Sequence, residues 1–311
     1  MITTITLNPA IDKTINLKEL KPGKINRVKE ISTSPGGKGI NVARVLNKLG
    51  NDVQAMGFLG GGIGEDIERH LEHEEINCDF VCSQFSTREN LKIIELSNSC
   101  ETEINEFGQV EEGIFDELTE RLKKILPDTS YLVMGGSLPR GLRKDSYYKL
   151  IQLADEYDVR TILDTSGDIL KTSLEGSPYL VKPNINEVEE LFDLNISDDS
   201  DLHLAIDNLQ EYGVEIVVIS LGSNGAVFAG GDKRIKVKPP EVNVKQNTVG
   251  AGDTMVAGIC YGLENDLNLK EFAVFSSVLA TRYIQTGTIS ELSFESIQDI
   301  IENTVVNKLG G

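Results

Sequence analysis

Short apolar runs that end in turn residues alternate with amphipathic stretches along most of the 311 residues, and this rhythm constrains the fold more than any other feature. Residues 2–7 run into Asn8-Pro9, and Tyr131-Leu132-Val133-Met134 runs into Gly135-Gly136. Thr161-Ile162-Leu163 meets Asp164, Tyr179-Leu180-Val181 meets Lys182-Pro183-Asn184, and residues 215–220 meet Leu221-Gly222. Between them, residues 113–126 and 146–157 place apolar side chains three and four apart, the spacing of a helix face. Strands alternating with helices predict an α/β fold, a doubly wound and mainly parallel sheet flanked by helices. Such sheets bind ligands beyond the carboxyl ends of their strands, so the polar residues that close each run are where chemistry belongs.

Two segments break the rhythm. Residues 12–32 and 87–105 read as extended, with apolar faces from Ile15, Leu17, Leu91, Ile93 and Leu96. They form either an edge hairpin of the main sheet or a small β lid over the site. Composition narrows the partners. With 49 acidic and 30 basic residues the formal charge is −19, which disfavours nucleic acid and anionic membrane surfaces. Small phosphorylated ligands, which answer to a few lysines and backbone amides, are not disfavoured. Cys78 and Cys82 have three residues between them, and with Cys100 and Cys260 they complete no zinc pattern. Reduced thiols, a first strand without the character of a secretion signal and the lack of a long apolar run predict a cytoplasmic protein.

The densest signal is Pro35-Gly36-Gly37-Lys38-Gly39-Ile40-Asn41-Val42-Ala43. Its glycines allow close backbone approach, and the apolar spacing from Ile40 to Leu49, closed by Gly50, marks a helix. The free amides of that helix start, with Lys38 and Asn41, suit an anion or sugar hydroxyls; the bland alternative is a tight turn with a solvent lysine. Thr248-Val249-Gly250-Ala251-Gly252-Asp253-Thr254-Met255 is the second signal. Here Gly250, Ala251 and Gly252 open a helix whose unpaired N–H groups form an anion hole for a transferring phosphoryl group. Asp253 beside it is either a base for an attacking hydroxyl or an N-cap. A nicotinamide dinucleotide is poorly supported, since no GxGxxG follows the first strand. Asn184 and Glu187, three apart, fit either a helix cap or the water shell of Mg²⁺. Asp12 at the end of the first strand, Arg88 and Asn90 in the second extended segment, and the glycine-bearing loop from Ser220 to Gly225 are further candidates.

Together these motifs resemble the ribokinase-like (PfkB) sugar kinases. Gly36-Gly37-Lys38-Gly39-Ile40-Asn41-Val42-Ala43 and Gly250-Ala251-Gly252-Asp253 match the two signatures of that family. Leu7-Asn8-Pro9-Ala10-Ile11-Asp12, Gly136-Ser137-Leu138-Pro139, Lys182-Pro183-Asn184 with Glu187, and Ser220-Leu221-Gly222 fall between them in the family's order. The resemblance spans essentially the whole chain, and implies one ribokinase-like domain over residues 1–311 with lid strands from about 12–32 and 87–105. It implies an ATP-dependent kinase of a ketohexose phosphate: fructose 1-phosphate, on the runs Thr87-Arg88-Glu89-Asn90-Leu91-Lys92, Glu101-Thr102-Glu103-Ile104-Asn105 and Val237-Lys238-Pro239-Pro240, or alternatively tagatose 6-phosphate. A non-catalytic sugar-phosphate sensor would keep the same loops. By resemblance, Asp12, Gly36, Gly37, Lys38, Asn41, Arg88, Asn90 and Ser137 bind the sugar phosphate. Asp253 is the base, with Gly250, Ala251 and Gly252 as anion hole. Lys182, Asn184, Ser220, Gly222, Gly225 and Thr248 bind ATP, and Glu187 and Asn184 attend Mg²⁺, with K⁺ as a candidate monovalent cation. The run Tyr283-Ile284-Gln285-Thr286-Gly287-Thr288 departs from the family's Asn- or Gly-rich version near the adenine and cation region. A homodimer through the lid is also implied.

Overall fold

The computed structural model describes residues 1–98, 100–242 and 249–310. Among these residues a ten-stranded sheet runs, from one edge to the other, through Val305–Lys308, Lys233–Lys238, Ala226–Gly230, Ile216–Ser220, Leu180–Val181, Arg160–Asp164, Tyr131–Gly135, Ile2–Thr6, Val53–Leu59 and Asn77–Cys82. From Ile216–Ser220 to Asn77–Cys82 every neighbouring pair is parallel, and the other three strands add antiparallel. The mainly parallel sheet read from the apolar rhythm is therefore present. The interior strand Ile2–Thr6, third from the Asn77–Cys82 edge, is buried along its whole length, as expected where helices cover both faces.

Two cores lie on the two faces. Helices Lys38–Lys48, Gly61–His73, Ala251–Glu264 and Leu269–Thr286 bury Ile40, Leu46, Ile67, Ile259 and Val278 with Ile2 and Phe228. On the other face, Ile114–Ile125, Ser146–Asp155 and Asp199–Gln210 bury Leu118, Leu122, Leu150 and Leu209 with Ile5 and Val217. The loop-to-helix glycines make this packing close. A β-carbon at Gly39 would stand 2.5 Å from Thr6 Oγ1 and 2.6 Å from the Ile5 carbonyl oxygen. Gly39→Ala must therefore lift its helix off the strand Ile2–Thr6, and a loss of about 1–3 kcal/mol in urea unfolding is expected.

Strand order also locates the crevice. From Ile2–Thr6 the chain builds outward to Val53–Leu59 and Asn77–Cys82, and only later fills the other side from Tyr131–Gly135. The winding reverses between Ile2–Thr6 and Tyr131–Gly135, so the crevice opens where those two strands end. There Asn8 Nδ2 donates to Ser137 Oγ at 2.9 Å.

Both extended segments leave the main sheet and pair with each other. They supply a four-stranded sheet ordered Glu30–Gly36, Ala10–Leu17, Arg88–Glu95, Cys100–Asn105. Residues 18–29 carry no strand and turn at Pro22-Gly23. Register sorts the faces: Asp12 pairs with Asn90, whereas Ile15 lies between Ile31 and Ile93 and Leu91 opposes Ile104 on the other side. No helix of the described residues is long and apolar enough to cross a membrane.

Candidate active site

Gly250 sits at φ +90°, the left-handed conformation that suits glycine, and starts the helix Ala251–Glu264. The first bond back along the backbone is from Thr254 N–H to the Gly250 carbonyl, at 2.8 Å. Helix geometry leaves the N–H groups of Ala251, Gly252 and Asp253 without an intrahelical partner, and no side chain among the described residues caps them. Asp253 is therefore not the N-cap that its position allowed. Its buried carboxylate turns away to accept a hydrogen bond from Asn41 Nδ2 at 2.7 Å. Burial pushes its pKa up to about 6, with Asp164 acting the same way and Lys38, Asn41 and Lys182 opposing. A carboxylate with that proton affinity suits a base near neutral pH.

Lys38, first residue of its helix, is not a solvent lysine. Its Nζ donates to Asp164 Oδ1 at 2.8 Å, and the other Asp164 oxygen lies 3.3 Å from Lys182 Nζ. A β-carbon at Gly252 would be 3.6 Å from that same Nζ, so Lys182 stands beside the helix start. Burial alone would push Asp164 up, but Lys182 and Lys38 outweigh it and hold the carboxylate below its ordinary range. Lys38 in turn is held above the ordinary lysine value, because Asp164 and Asp253 outweigh its desolvation.

Gly36 and Gly37 lead from the small sheet into this helix, and opposite them lies a second polar cluster. Asn90 Nδ2 donates to Asp12 Oδ1 at 2.8 Å. Arg88 donates to Asn90 Oδ1 at 3.0 Å and to the carbonyls of Glu106 and Asn8 at 3.1 and 3.2 Å. Burial lowers the Arg88 pKa and raises that of Asp12, each partly offset by the other's charge. Asp12, Arg88, Asn90 and, through Asn8, Ser137 are thus one bonded cluster at the crevice mouth. Tyr283 bridges the two halves: its hydroxyl would lie 2.7 Å from a β-carbon at Gly250, and the charges of both Asp253 and Asp12 bear on it.

This geometry agrees with relationships across the chain. Residues 5–293 match the pfkB family of carbohydrate kinases. The chain belongs to that family. It is 38% identical over 303 residues to a 1-phosphofructokinase of Borreliella burgdorferi, covering 97% of this chain and 96% of the other. It is 38% identical over 309 residues to a tagatose-6-phosphate kinase of Staphylococcus epidermidis, covering 97% and 99%. Among solved structures it resembles phosphofructokinase-2 of Escherichia coli in complex with potassium, with a TM-score of 0.90 and 30% identity over 97% of this chain and 98% of that one.

In this pfkB-family kinase the nucleotide candidates fall at two neighbouring strand ends. Asn184 bridges to Ser220, whose N–H donates to the Pro183 carbonyl at 3.1 Å. Gly222 opens the short turn after Ser220, and Leu221 N–H closes it on the Gly225 carbonyl at 2.8 Å. Thr248 lies outside the described residues. Asn184 and Glu187 form a capping box: Glu187 N–H donates to Asn184 Oδ1 at 2.9 Å, and Asn184 N–H to Glu187 Oε2 at 2.8 Å. Asn184→Ala is expected to cost about 1 kcal/mol of stability, read as a lower Tm.

Only one Glu187 oxygen is in the box, and the Glu187 charge is felt by Lys38. Among the described residues no group of three or more His, Cys, Asp or Glu side chains gathers around a metal position. The Glu187 oxygen outside the box is a single carboxylate donor of the kind that suits Mg²⁺, which keeps most of its water and rides on phosphates with one or two protein carboxylates.

Two residues of the site carried no recognised role in the sequence. Asp164 is, in the sequence, only an acid at the end of a strand. Tyr283 is distinguished in the sequence only by the departure of its run from the family pattern.

Proposed function

We propose that the enzyme transfers the terminal phosphoryl group of ATP to a hydroxyl of a ketohexose phosphate, with fructose 1-phosphate as substrate and fructose 1,6-bisphosphate as product. The observation that carries this reading is the buried Asp253, its pKa raised toward neutrality in the first turn of a helix and flanked by two lysines. Asp12 and Asn90 hold the sugar hydroxyls, and Arg88 with Lys38 receives its phosphate. The acceptor hydroxyl gives its proton to Asp253 as its oxygen attacks. The amides of Ala251 and Gly252 and the Lys182 ammonium stabilise the charge that spreads over the moving phosphoryl group. Bound with ATP near Glu187 and Asn184, Mg²⁺ would neutralise phosphate charge. A K⁺ ion near the nucleotide remains part of the reading, supported by the potassium-bound E. coli structure.

The tagatose-6-phosphate kinase relative supports a second substrate, tagatose 6-phosphate. Its phosphate and accepting hydroxyl are exchanged relative to fructose 1-phosphate, so the same two clusters would read it from the opposite end. The outer face of the small sheet, with Ile31 and Ile104 each 52% exposed, supports a homodimer through that face. Light scattering at micromolar concentration should give twice the mass of the chain.

The pH dependence follows from the base. A raised carboxyl pKa keeps Asp253 protonated to higher pH, so kcat/KM falls as pH drops through about 6. Phosphorus NMR of a reaction with Mg-ATP and fructose 1-phosphate tests the transfer itself. A new sugar phosphomonoester appearing with ADP is expected; ADP with inorganic phosphate alone would contradict the reading.

A further inference from the structure

Asp164 has no part in the reaction just described, yet it is the most enclosed charged group of the site. Its side chain is 5% exposed and that of Lys182 6%. Lys38 is bound to one of its oxygens at 2.8 Å and Lys182 lies 3.3 Å from the other. We infer that Asp164 is a positioning residue for phosphoryl transfer, a single carboxylate that holds Lys38 on the sugar side and Lys182 beside the anion hole. This rests on the assignment of those two lysines to the two substrates.

Two ammonium groups sharing one buried carboxylate would repel each other if it were removed, and neither has an equivalent anchor in the bonds described. The carboxylate is itself fixed. Its strand, Arg160–Asp164, pairs in register with Tyr131–Gly135, and its carbonyl accepts from Gly136 N–H at 3.0 Å. Thr165 Oγ1 donates to the Gly136 carbonyl at 2.9 Å, and the buried Tyr147 hydroxyl to the Gly135 carbonyl at 2.7 Å. A side chain mounted on a central strand and braced this way holds its partners more firmly than a loop would.

Asp164 also belongs to the charges that surround Asp253. Lys38 and Asn41 face Asp253 from one helix, Lys182 and Asp164 from two strand ends, and Tyr283 from the helix Leu269–Thr286. Asp164 contributes the neighbouring negative charge. Neutralising it removes that repulsion and leaves the lysines less compensated, and both effects favour ionised Asp253.

The test compares Asp164→Asn, Asp164→Glu and Asp253→Asn in the full chain, with Mg-ATP and fructose 1-phosphate. Asp164→Asn is expected to lose about ten- to a hundredfold in kcat, as a misplaced catalytic group does, and to raise the KM for the sugar phosphate that Lys38 receives. The acidic limb of its kcat/KM profile moves to lower pH by about one unit. Asp164→Glu keeps the charge and leaves that limb in place. Ionisation of the substrate phosphate is common to all variants, so the differences belong to the protein. Loss of folded enzyme alone would not move the limb.

Wild-type kcat in Asp164→Asn, or a limb that does not move, overturns the inference. An active Asp253→Asn, or a wild type inert toward this substrate, instead overturns the reading of the reaction. In that case, or if Asp164→Asn does not fold, the side-chain ¹⁵N resonance of Lys38 in the wild type decides. Titration above an ordinary lysine supports the ion pair, and ordinary titration overturns it.

Discussion

Asp253→Asn lowers kcat by roughly 10²–10⁴ with modest change in KM, the loss expected when a positioned base is removed and binding contacts stay. The substitution isolates the base because it preserves shape. Asparagine keeps an oxygen that accepts from Asn41 Nδ2, the contact that fixes the carboxylate at 2.7 Å. Since Asp253 is buried with its pKa pushed up to about 6, the amide removes a costly charge, and the variant should be at least as stable as the parent at neutral pH. A slow, fully folded enzyme is the expected outcome. Near wild-type kcat would remove Asp253 from the mechanism.

The second large effect is Gly250→Ala. An L-residue in the left-handed region costs about 1–2 kcal/mol, and a β-carbon there would stand 2.7 Å from the Tyr283 hydroxyl and 3.0 and 3.1 Å from its ring carbons. The helix start must tilt away, and the amides of Ala251 and Gly252 move with it. Losing one donor of such an anion hole costs roughly 10²–10³ in kcat. The cause can be separated from backbone strain. Pairing Gly250→Ala with Tyr283→Ala removes the clash, so the double variant should recover part of the loss. If it is no faster than the single one, strain at φ +90° is the whole effect.

Much of this was legible in the sequence because glycine and charge are conspicuous where a parallel strand ends. The strand rhythm fixed the sheet class, and the Gly36-to-Ala43 and Gly250-to-Asp253 runs located both helix starts. The same patterns that revealed those loops hid other parts. Asn184 and Glu187 have one spacing whether they cap a helix or attend a metal, and only the distances show that a complete capping box exists. Asp164 is a lone acid, and nothing local shows that Lys38, 126 residues away, and Lys182 converge on it. Residues 12–32 read as extended throughout because Ile15 and Leu17 alternate with polar residues, yet the strand ends at Leu17 and the chain turns at Pro22-Gly23 before the next strand begins at Glu30. Tyr283 lies on a helix whose pattern is ordinary, and its contact with Gly250 exists only through packing.

Phosphoryl transfer to a ketohexose phosphate would be measured as ADP release with Mg-ATP. Fructose 1-phosphate, tagatose 6-phosphate, fructose 6-phosphate and ribose would be compared by kcat/KM, with Asp253→Asn as the control. The highest kcat/KM is expected with fructose 1-phosphate, with a collapse of that rate in Asp253→Asn. ADP release that no acceptor stimulates would contradict phosphoryl transfer and leave a protein that binds sugar phosphates without turning them over.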